Sequence, residues 1–252
     1  MARKVVLRVV GGRGHRSDHV RWAESKATDM DQVMNEVDSP LWREAQVAAA
    51  RIQVEAKHKL SQYPIHLGGG GCYPLIYFVA RKLKPGVAVE TGVAAGFSFY
   101  ATLLGLEENG SGVLFSSDLP YFRIPHPEQY VGVLVPEDLR GRWRLSIDGD
   151  RRNIPKILEQ VSCIDFIHYD SDKSYRERKW AMEHLMPLTN EGCVVIMDDI
   201  QDDSYFSELV SGMSDWHVFK FEGKYLGVIG LGRLSESLDH TEGAERCPPP
   251  LL

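Results

Sequence analysis

No apolar run in the 252-residue sequence approaches the ~18 residues needed to cross a bilayer, so no membrane partner is expected. The four cysteines, Cys72, Cys163, Cys193 and Cys247, lie far apart and form no C-x-x-C pair. That spacing suits neither a zinc knuckle nor a disulfide scaffold. Cys163 and Cys193 adjoin apolar strand-like runs and read as buried, reduced thiols. A basic excess is also missing. The formal net charge of −6 argues against a nucleic-acid partner, which calls for clustered positive charge. There is no internal repeat and no G-x-G-x-x-G dinucleotide fingerprint. The opening stretch MARKVVLRVVGG carries basic residues, but Arg8 interrupts an apolar patch too short for a signal segment. A cytoplasmic location is therefore expected. A hydrophobic share of 43% remains, ordinary for a globular chain and enough to fill the core of one α/β domain.

Residues 1–37 are polar and weakly periodic. Residues 1–67 as a whole read as an N-terminal extension and helix that caps the domain or pairs copies of it. The helix is expected to begin at Ser39 as N-cap with Pro40 in its first turn. HLGGGGCYPLIYFVARKLKPG breaks at four glycines and restarts as a helix that stops before Pro85. Strand-like and helical runs then alternate. The strands are Val87–Glu90, Val113–Ser117, Trp143–Ile147, Ile164–Tyr169 and Cys193–Met197. Helices are expected over Gly96–Glu108, Asn153–Val161, Tyr175–Met186 and Ser204–Met213. Repeated βα units imply a parallel sheet covered on both faces. Two closing runs, WHVFKFEG and KYLGVIGLG, are joined by little more than a turn and form an antiparallel hairpin. The predicted fold is a Rossmann-like, doubly wound, mostly parallel seven-stranded sheet over residues 68–234. Residues 235–252 read as a disordered tail.

At the end of the first strand stands Glu90-Thr-Gly92-Val-Ala-Ala-Gly96, an E-x-G-x-x-x-G turn. Glycine permits positive φ and close backbone approach there. A carboxylate beside the glycines repels a pyrophosphate and attracts an ammonium group, so the ligand carries positive charge near the turn. Asp118 closes the second strand, where a carboxylate accepts two hydrogen bonds from ribose hydroxyls. IDGD closes the third, with Gly149 and Asp150 positioned to border a purine. Each acid alone reads equally well as a cap or turn residue. Three at successive strand ends point to one ligand, because open α/β sheets bind at the carboxyl ends of strands.

This ordered set resembles the class I S-adenosylmethionine-dependent methyltransferases over about residues 68–232. The resemblance implies that Glu90, Gly92, Gly96 and Ser98 hold the amino-acid end of the cofactor, that Asp118 holds the ribose, and that Gly149 and Asp150 border the adenine.

IHYDSDKSY brings Asp170 to the end of the fourth strand, and VVIMDDIQDD brings Asp198 and Asp199 to the end of the fifth. Three carboxylates at one rim repel one another unless a cation is present. Hard oxygen ligands suit Mg²⁺ or another divalent cation. The alternative is a set of solvated strand-end acids, and that is the reading for Asp202 and Asp203, which open the next helix. The cluster is similar to the metal site of the catechol and caffeoyl-coenzyme-A O-methyltransferases, and to the acidic pattern of sugar and macrolide O-methyltransferases. It departs from the catechol type by having Asp-Asp where that type has Asp-Asn. Lys173, three residues after Asp170, matches the base that takes the proton from the attacking hydroxyl in catechol-type enzymes. The alternative for Lys173 is a surface lysine at a helix start. His168, inside the fourth strand, reads as a packed or hydrogen-bonded core histidine.

The excursion over residues 119–142 carries Tyr121, Phe122, His126 and Tyr130 and is either a lid or a surface loop. Gly68–Gly71 either closes the opposite side or is a flexible turn. The expected activity is methyl transfer to a hydroxyl of a small molecule, phenolic, glycosyl or another natural product, and the resemblance implies an enzyme that pairs as a homodimer. The competing readings are an NAD(P)-dependent oxidoreductase and a metal-independent, methyltransferase-like binding protein.

Overall fold

Val87–Thr91 (β1) is a short run of β-branched and small residues, and every one of its five residues is buried. Such a strand belongs at the centre of a sheet covered on both faces. It pairs in parallel with Val113–Ser117 (β2) on one side and Ile164–Tyr169 (β4) on the other. Trp143–Ser146 (β3) extends the sheet beyond β2, and Thr189–Met197 (β5) extends it beyond β4. Trp216–Phe221 (β6) and Lys224–Ile229 (β7) form an antiparallel hairpin that joins β5 through β7, giving the order β3-β2-β1-β4-β5-β7-β6. Glu222 and Gly223 make the hairpin turn with φ of 47° and 81°, the backbone that a two-residue turn between twisted strands requires. The computed structural model describes residues 13–65, 67, 69–120, 124–235 and 247–248.

The period of two along each strand divides the core between the two faces. Val87, Val89, Phe115, Ile167 and Val195 point to one side. That side is covered by Arg13–Lys26 (α1), Asp150–Leu158 (α5), Tyr175–Leu185 (α6) and the short Tyr205–Leu209 (α7). Ala88, Leu114, Phe166, Val194 and Ile196 point to the other, against Met30–Leu60 (α2), Tyr73–Leu83 (α3) and Phe97–Glu108 (α4). The doubly wound, seven-stranded architecture expected from the sequence is thus the one observed.

Four features differ from expectation. First, α1 and the first turns of α2 lie within the segment that reads as weakly periodic. Between them Ala27 bridges Val218 of β6, and Thr28 N donates to Val218 O at 2.9 Å. This single rung covers part of the outer edge of the sheet. Second, the helix start is one residue earlier than expected. Asp38, extended at φ −164°, interrupts α2, and its carboxylate accepts from Leu41 N at 3.0 Å. Asp38 is therefore the cap and Ser39 and Pro40 form the first turn. Third, Cys163 is not a free thiol: it forms a disulfide with Cys247, whereas Cys72 and Cys193 are free and buried. The partner was hidden because it comes from the tail 84 residues away, where Cys247 N donates to the buried carboxylate of Asp165 at 3.2 Å. The rest of the expected tail, residues 236–246 and 249–252, lies outside the described residues. Fourth, the helix expected over Ser204–Met213 is limited to Tyr205–Leu209.

No helix among the described residues is long and apolar enough to cross a membrane.

Candidate active site

The register of the parallel strands puts their ends in one line. Ser146, Ser117, Thr91, Tyr169 and Met197 are successive cross-strand partners. The residue after each is held by the neighbouring strand: Asp118 N donates to Ser146 O (2.9 Å), Gly92 N to Ser117 O (2.9 Å), Asp170 N to Thr91 O (3.1 Å) and Asp198 N to Tyr169 O (3.0 Å). Asp118, Gly92, Asp170 and Asp198 therefore stand shoulder to shoulder at the carboxyl edge, on both sides of the point where the chain reverses its winding direction. That is where such sheets bind ligands.

The glycine turn is shaped by close approach. Gly92 has φ +83°, and a Cβ there would lie 2.5 Å from Asp170 O, so only glycine lets the end of β1 pass the end of β4. Gly96 (φ +100°) caps α4, with a Cβ position 3.0 Å from Gly132 Cα, and Ser98 is buried in the first turn of that helix. The excursion after β2 supports this turn rather than simply lying over the surface. Gly132 N donates to Ala94 O (2.8 Å) and Leu134 N to Ala95 O (2.9 Å), while Val131, Val133, Leu134, Val135 and Leu139 are buried. Of the lid candidates, His126 is exposed and Tyr130 packs edge-on against Tyr63; Tyr121 and Phe122 lie outside the described residues.

Asp118 accepts from Leu119 N (2.8 Å) and Ala94 N (3.2 Å). Burial, reinforced by Asp150 and Asp170, outweighs those bonds and pushes its carboxyl up to about 6. Gly149 has φ +83° and precedes α5. Asp150 is tied inward, accepting from Ser117 Oγ at 2.6 Å and from Ser171 Oγ. It braces β2 against the β4 loop, and burial raises its carboxyl above the usual range.

Glu90 has a protein partner in place of an open edge. Its register partner on β4 is His168, and side chains at one register of adjacent strands share a face. Glu90 Oε1 lies 2.7 Å from His168 Nδ1, both side chains are 0% exposed, and Oε2 has no hydrogen-bond partner. On the other side of the ring, His168 Nε2 is 3.6 Å from Asp198 Oδ1, an ion-pair distance beyond hydrogen-bond length. Burial favours the neutral imidazole, but the flanking Asp198 and Glu90 carboxylates win and push it up to about 10. The same interaction holds the Asp198 carboxyl low despite its burial. The core histidine expected from the sequence is thus a buried cation between two acids.

Asp170, Asp198 and Asp199 do meet at one rim. Lys173 pairs with Asp170 and lies 3.4 Å from Asp199 Oδ2, so it faces the cluster and is not a stray surface lysine. Donor atoms of His168, Asp170 and Asp198 all lie within 4.8 Å of one another, and Asp198 Oδ1 has no hydrogen-bond partner. Asp170 and Asp198 offer hard carboxylate oxygens of the kind a divalent cation takes, while the protonated ring of His168 stands behind them and is not a ligand. Asp199 stands at the margin, its carboxylate turned to Lys173 and Lys224.

Two contributors, Arg178 and Lys224, had no sequence signal, and a third, Gly71, lies in the run expected either to close the opposite side or to be a flexible turn. Arg178 of α6 is 0% exposed, and its Nη2 donates to Asp198 O (3.1 Å) and Asp199 O (2.8 Å), holding the turn in which Asp199 takes φ 55°. Lys224 reaches Asp199 from the hairpin. Gly71 lies against the cluster, with a Cβ position 2.8 Å from Asp198 Oδ2 and 3.0 Å from His168 Cε1; at Gly70 it would be 2.2 Å from Phe97 Cβ. The glycine run is thus sterically required where it passes the site.

Residues 89–200 match a family described as a methyltransferase domain. No curated protein matches by sequence. Among solved structures, an O-methyltransferase of tomaymycin synthesis from Streptomyces achromogenes, in complex with S-adenosylmethionine, is similar at TM-score 0.52 and 15% identity, over 72% of this chain and 88% of that one. A putative caffeoyl-coenzyme-A O-methyltransferase from Staphylococcus aureus is similar at 0.53 and 14%, over 71% and 91%. An O-methyltransferase from Bacillus cereus, in complex with S-adenosylhomocysteine, is similar at 0.50 and 16%, over 75% and 90%. The resemblance read from the strand-end acids is borne out in domain match and fold.

Proposed function

We propose that this methyltransferase-like fold transfers a methyl group from S-adenosylmethionine to a hydroxyl oxygen of a small molecule, with a divalent cation at the acidic rim. The observation that carries the reading is the register line that sets Asp118, Gly92, Asp170 and Asp198 side by side. When bound, the cofactor supplies an electrophilic methyl on a positively charged sulfur, and the cation makes an acceptor hydroxyl easier to deprotonate. The remaining tasks fall to the chain. The Asp118 carboxylate accepts from ribose hydroxyls. Gly92 and Gly96 let backbone approach the amino-acid portion, and Gly149 with Asp150 flanks the adenine. The buried Glu90–His168–Asp198 row fixes the Asp198 carboxylate. Beside a bound cation the ammonium form of Lys173 would be disfavoured, and its neutral Nζ would then accept the proton of the hydroxyl while Asp170 orients it. Excluding water and holding acceptor and donor at contact distance supply much of the rate.

A second, metal-independent reading has one observation in its favour: His168, Lys173 and Lys224 already offset most of the acidic charge. A calorimetric titration with S-adenosylhomocysteine and, separately, NAD tests the ligand class. Affinity for NAD alone would end the proposal. Methyl transfer to a panel of phenols and sugars, with and without chelator, separates the metal-assisted reading from the metal-independent one.

A further inference from the structure

Asp199 differs from the other rim acids in having two ammonium groups at one oxygen. Its Oδ2 lies 3.4 Å from Lys173 Nζ and 3.5 Å from Lys224 Nζ. Lys173 is shared with Asp170. Lys224 arrives from a different part of the fold, as the first residue of β7 directly after the Glu222–Gly223 turn. The strand start is fixed where it meets the rim: Tyr225 N donates to Gln201 Oε1 at 2.9 Å, and Met197 pairs with Gly227. Gln201 Nε2 in turn donates to Asp199 Oδ1 at 3.2 Å. Lys224 is thus held beside Asp199 by strand pairing and a side-chain clip. Burial disfavours its ammonium, but Asp199, Asp170 and Asp198 outweigh burial and raise its affinity for the proton.

The charges of the rim explain why such a residue is useful. Glu90, Asp170, Asp198 and Asp199 face His168, Lys173 and Lys224. Without Lys224 the four carboxylates would face only two cations. Asp198 Oδ1, on a side chain 6% exposed, makes no hydrogen bond and faces His168 Nε2 at 3.6 Å.

We propose that Lys224 is a built-in counter-cation for Asp199, which offsets the negative charge of the rim and weakens its affinity for divalent cations. This inference rests on the reading of the rim as a cation site. It makes the occupancy of that site depend on a residue of the C-terminal hairpin.

Manganese titration of the full chain, followed by calorimetry and by the electron spin resonance of free Mn²⁺, tests it. Lys224→Met and Lys224→Gln are expected to bind Mn²⁺ roughly tenfold or more tightly than the unmodified protein at low salt. That factor is the order of magnitude for removing one positive charge several ångströms from a divalent ion at a half-exposed site. Asp199→Asn is expected to bind more weakly. Binding by the unmodified protein with Lys224 variants within twofold of it, or weaker, overturns the role of Lys224 and leaves the cation site intact. Binding gained only when Lys224 is removed supports the inference. Failure of all variants to bind Mn²⁺ overturns both the cation site and the inference.

Discussion

Asp118→Asn should stabilise the ligand-free protein while damaging its ligand site. In the fold the Asp118 carboxyl is pushed up to about 6 from an ordinary value of 3.8. A folded value above the unfolded one means that ionisation opposes folding. The stability this group contributes is present below about pH 4 and is lost as pH rises through about 6. A gap of that size is worth about 3 kcal/mol, and partial exposure makes this an upper bound. Asparagine removes the charge but keeps only one good acceptor for the amides of Leu119 and Ala94, a loss of about 1 kcal/mol. The net expectation is a gain of about 1–2 kcal/mol at pH 7.5 that vanishes or reverses near pH 4. Urea unfolding of both proteins at half-unit steps between pH 4 and 8 measures it. S-adenosylhomocysteine should bind the variant at least about tenfold more weakly, since the paired acceptor for two hydroxyls is gone. A stability difference that is flat with pH, or a loss at pH 7.5, refutes the argument from burial.

Lys173→Met should lower turnover about 10²–10⁴-fold while leaving affinity for S-adenosylhomocysteine within a few-fold; near-normal turnover across the pH range removes Lys173 as the proton acceptor. Arg178→Met takes away both bonds to the Asp198 and Asp199 carbonyls and leaves Asp203 facing no guanidinium, so urea unfolding should register a loss of about 3 kcal/mol. A loss under about 1 kcal/mol would mean that the turn holds itself. Gly71→Ala puts a methyl 2.8 Å from Asp198 Oδ2 and should cost about 1–3 kcal/mol of stability, read as a melting temperature several degrees lower. An unchanged melting temperature would show that the loop yields freely.

The strands, their order of direction and the strand-end acids were legible because each is a local pattern. Val87–Thr91 announces a buried strand by composition, and Asp118, Asp170 and Asp198 stand at the residue where an apolar run stops. What was not legible depends on register. Glu90 looks like a ligand-facing acid until β1 is set against β4, which puts it beside His168. Lys224 is only the first residue of the KYLGVIGLG run until the hairpin is folded back along β5. Arg178 is one of several charges in SYRERKW, and nothing in that run distinguishes the guanidinium that turns inward. The cysteine reading held for Cys193 and failed for Cys163, since the spacing rule sees only neighbours in sequence and Cys247 reaches Cys163 from the far end of the chain.

The outermost strand of the sheet, β6, has its backbone met at Val218 by Thr28 of the segment that links α1 to α2, whose amide donates to Val218 O at 2.9 Å and whose hydroxyl donates to it at 3.4 Å. Remove the first 29 residues and Val218, with its neighbours, would present free amides and carbonyls to any second copy in solution. Such a trimmed chain should keep its native circular dichroism yet scatter light increasingly as it is concentrated, because its flank has become a template for adding strands. The N-terminal extension thus occupies the flank along which the sheet could otherwise take on a further strand.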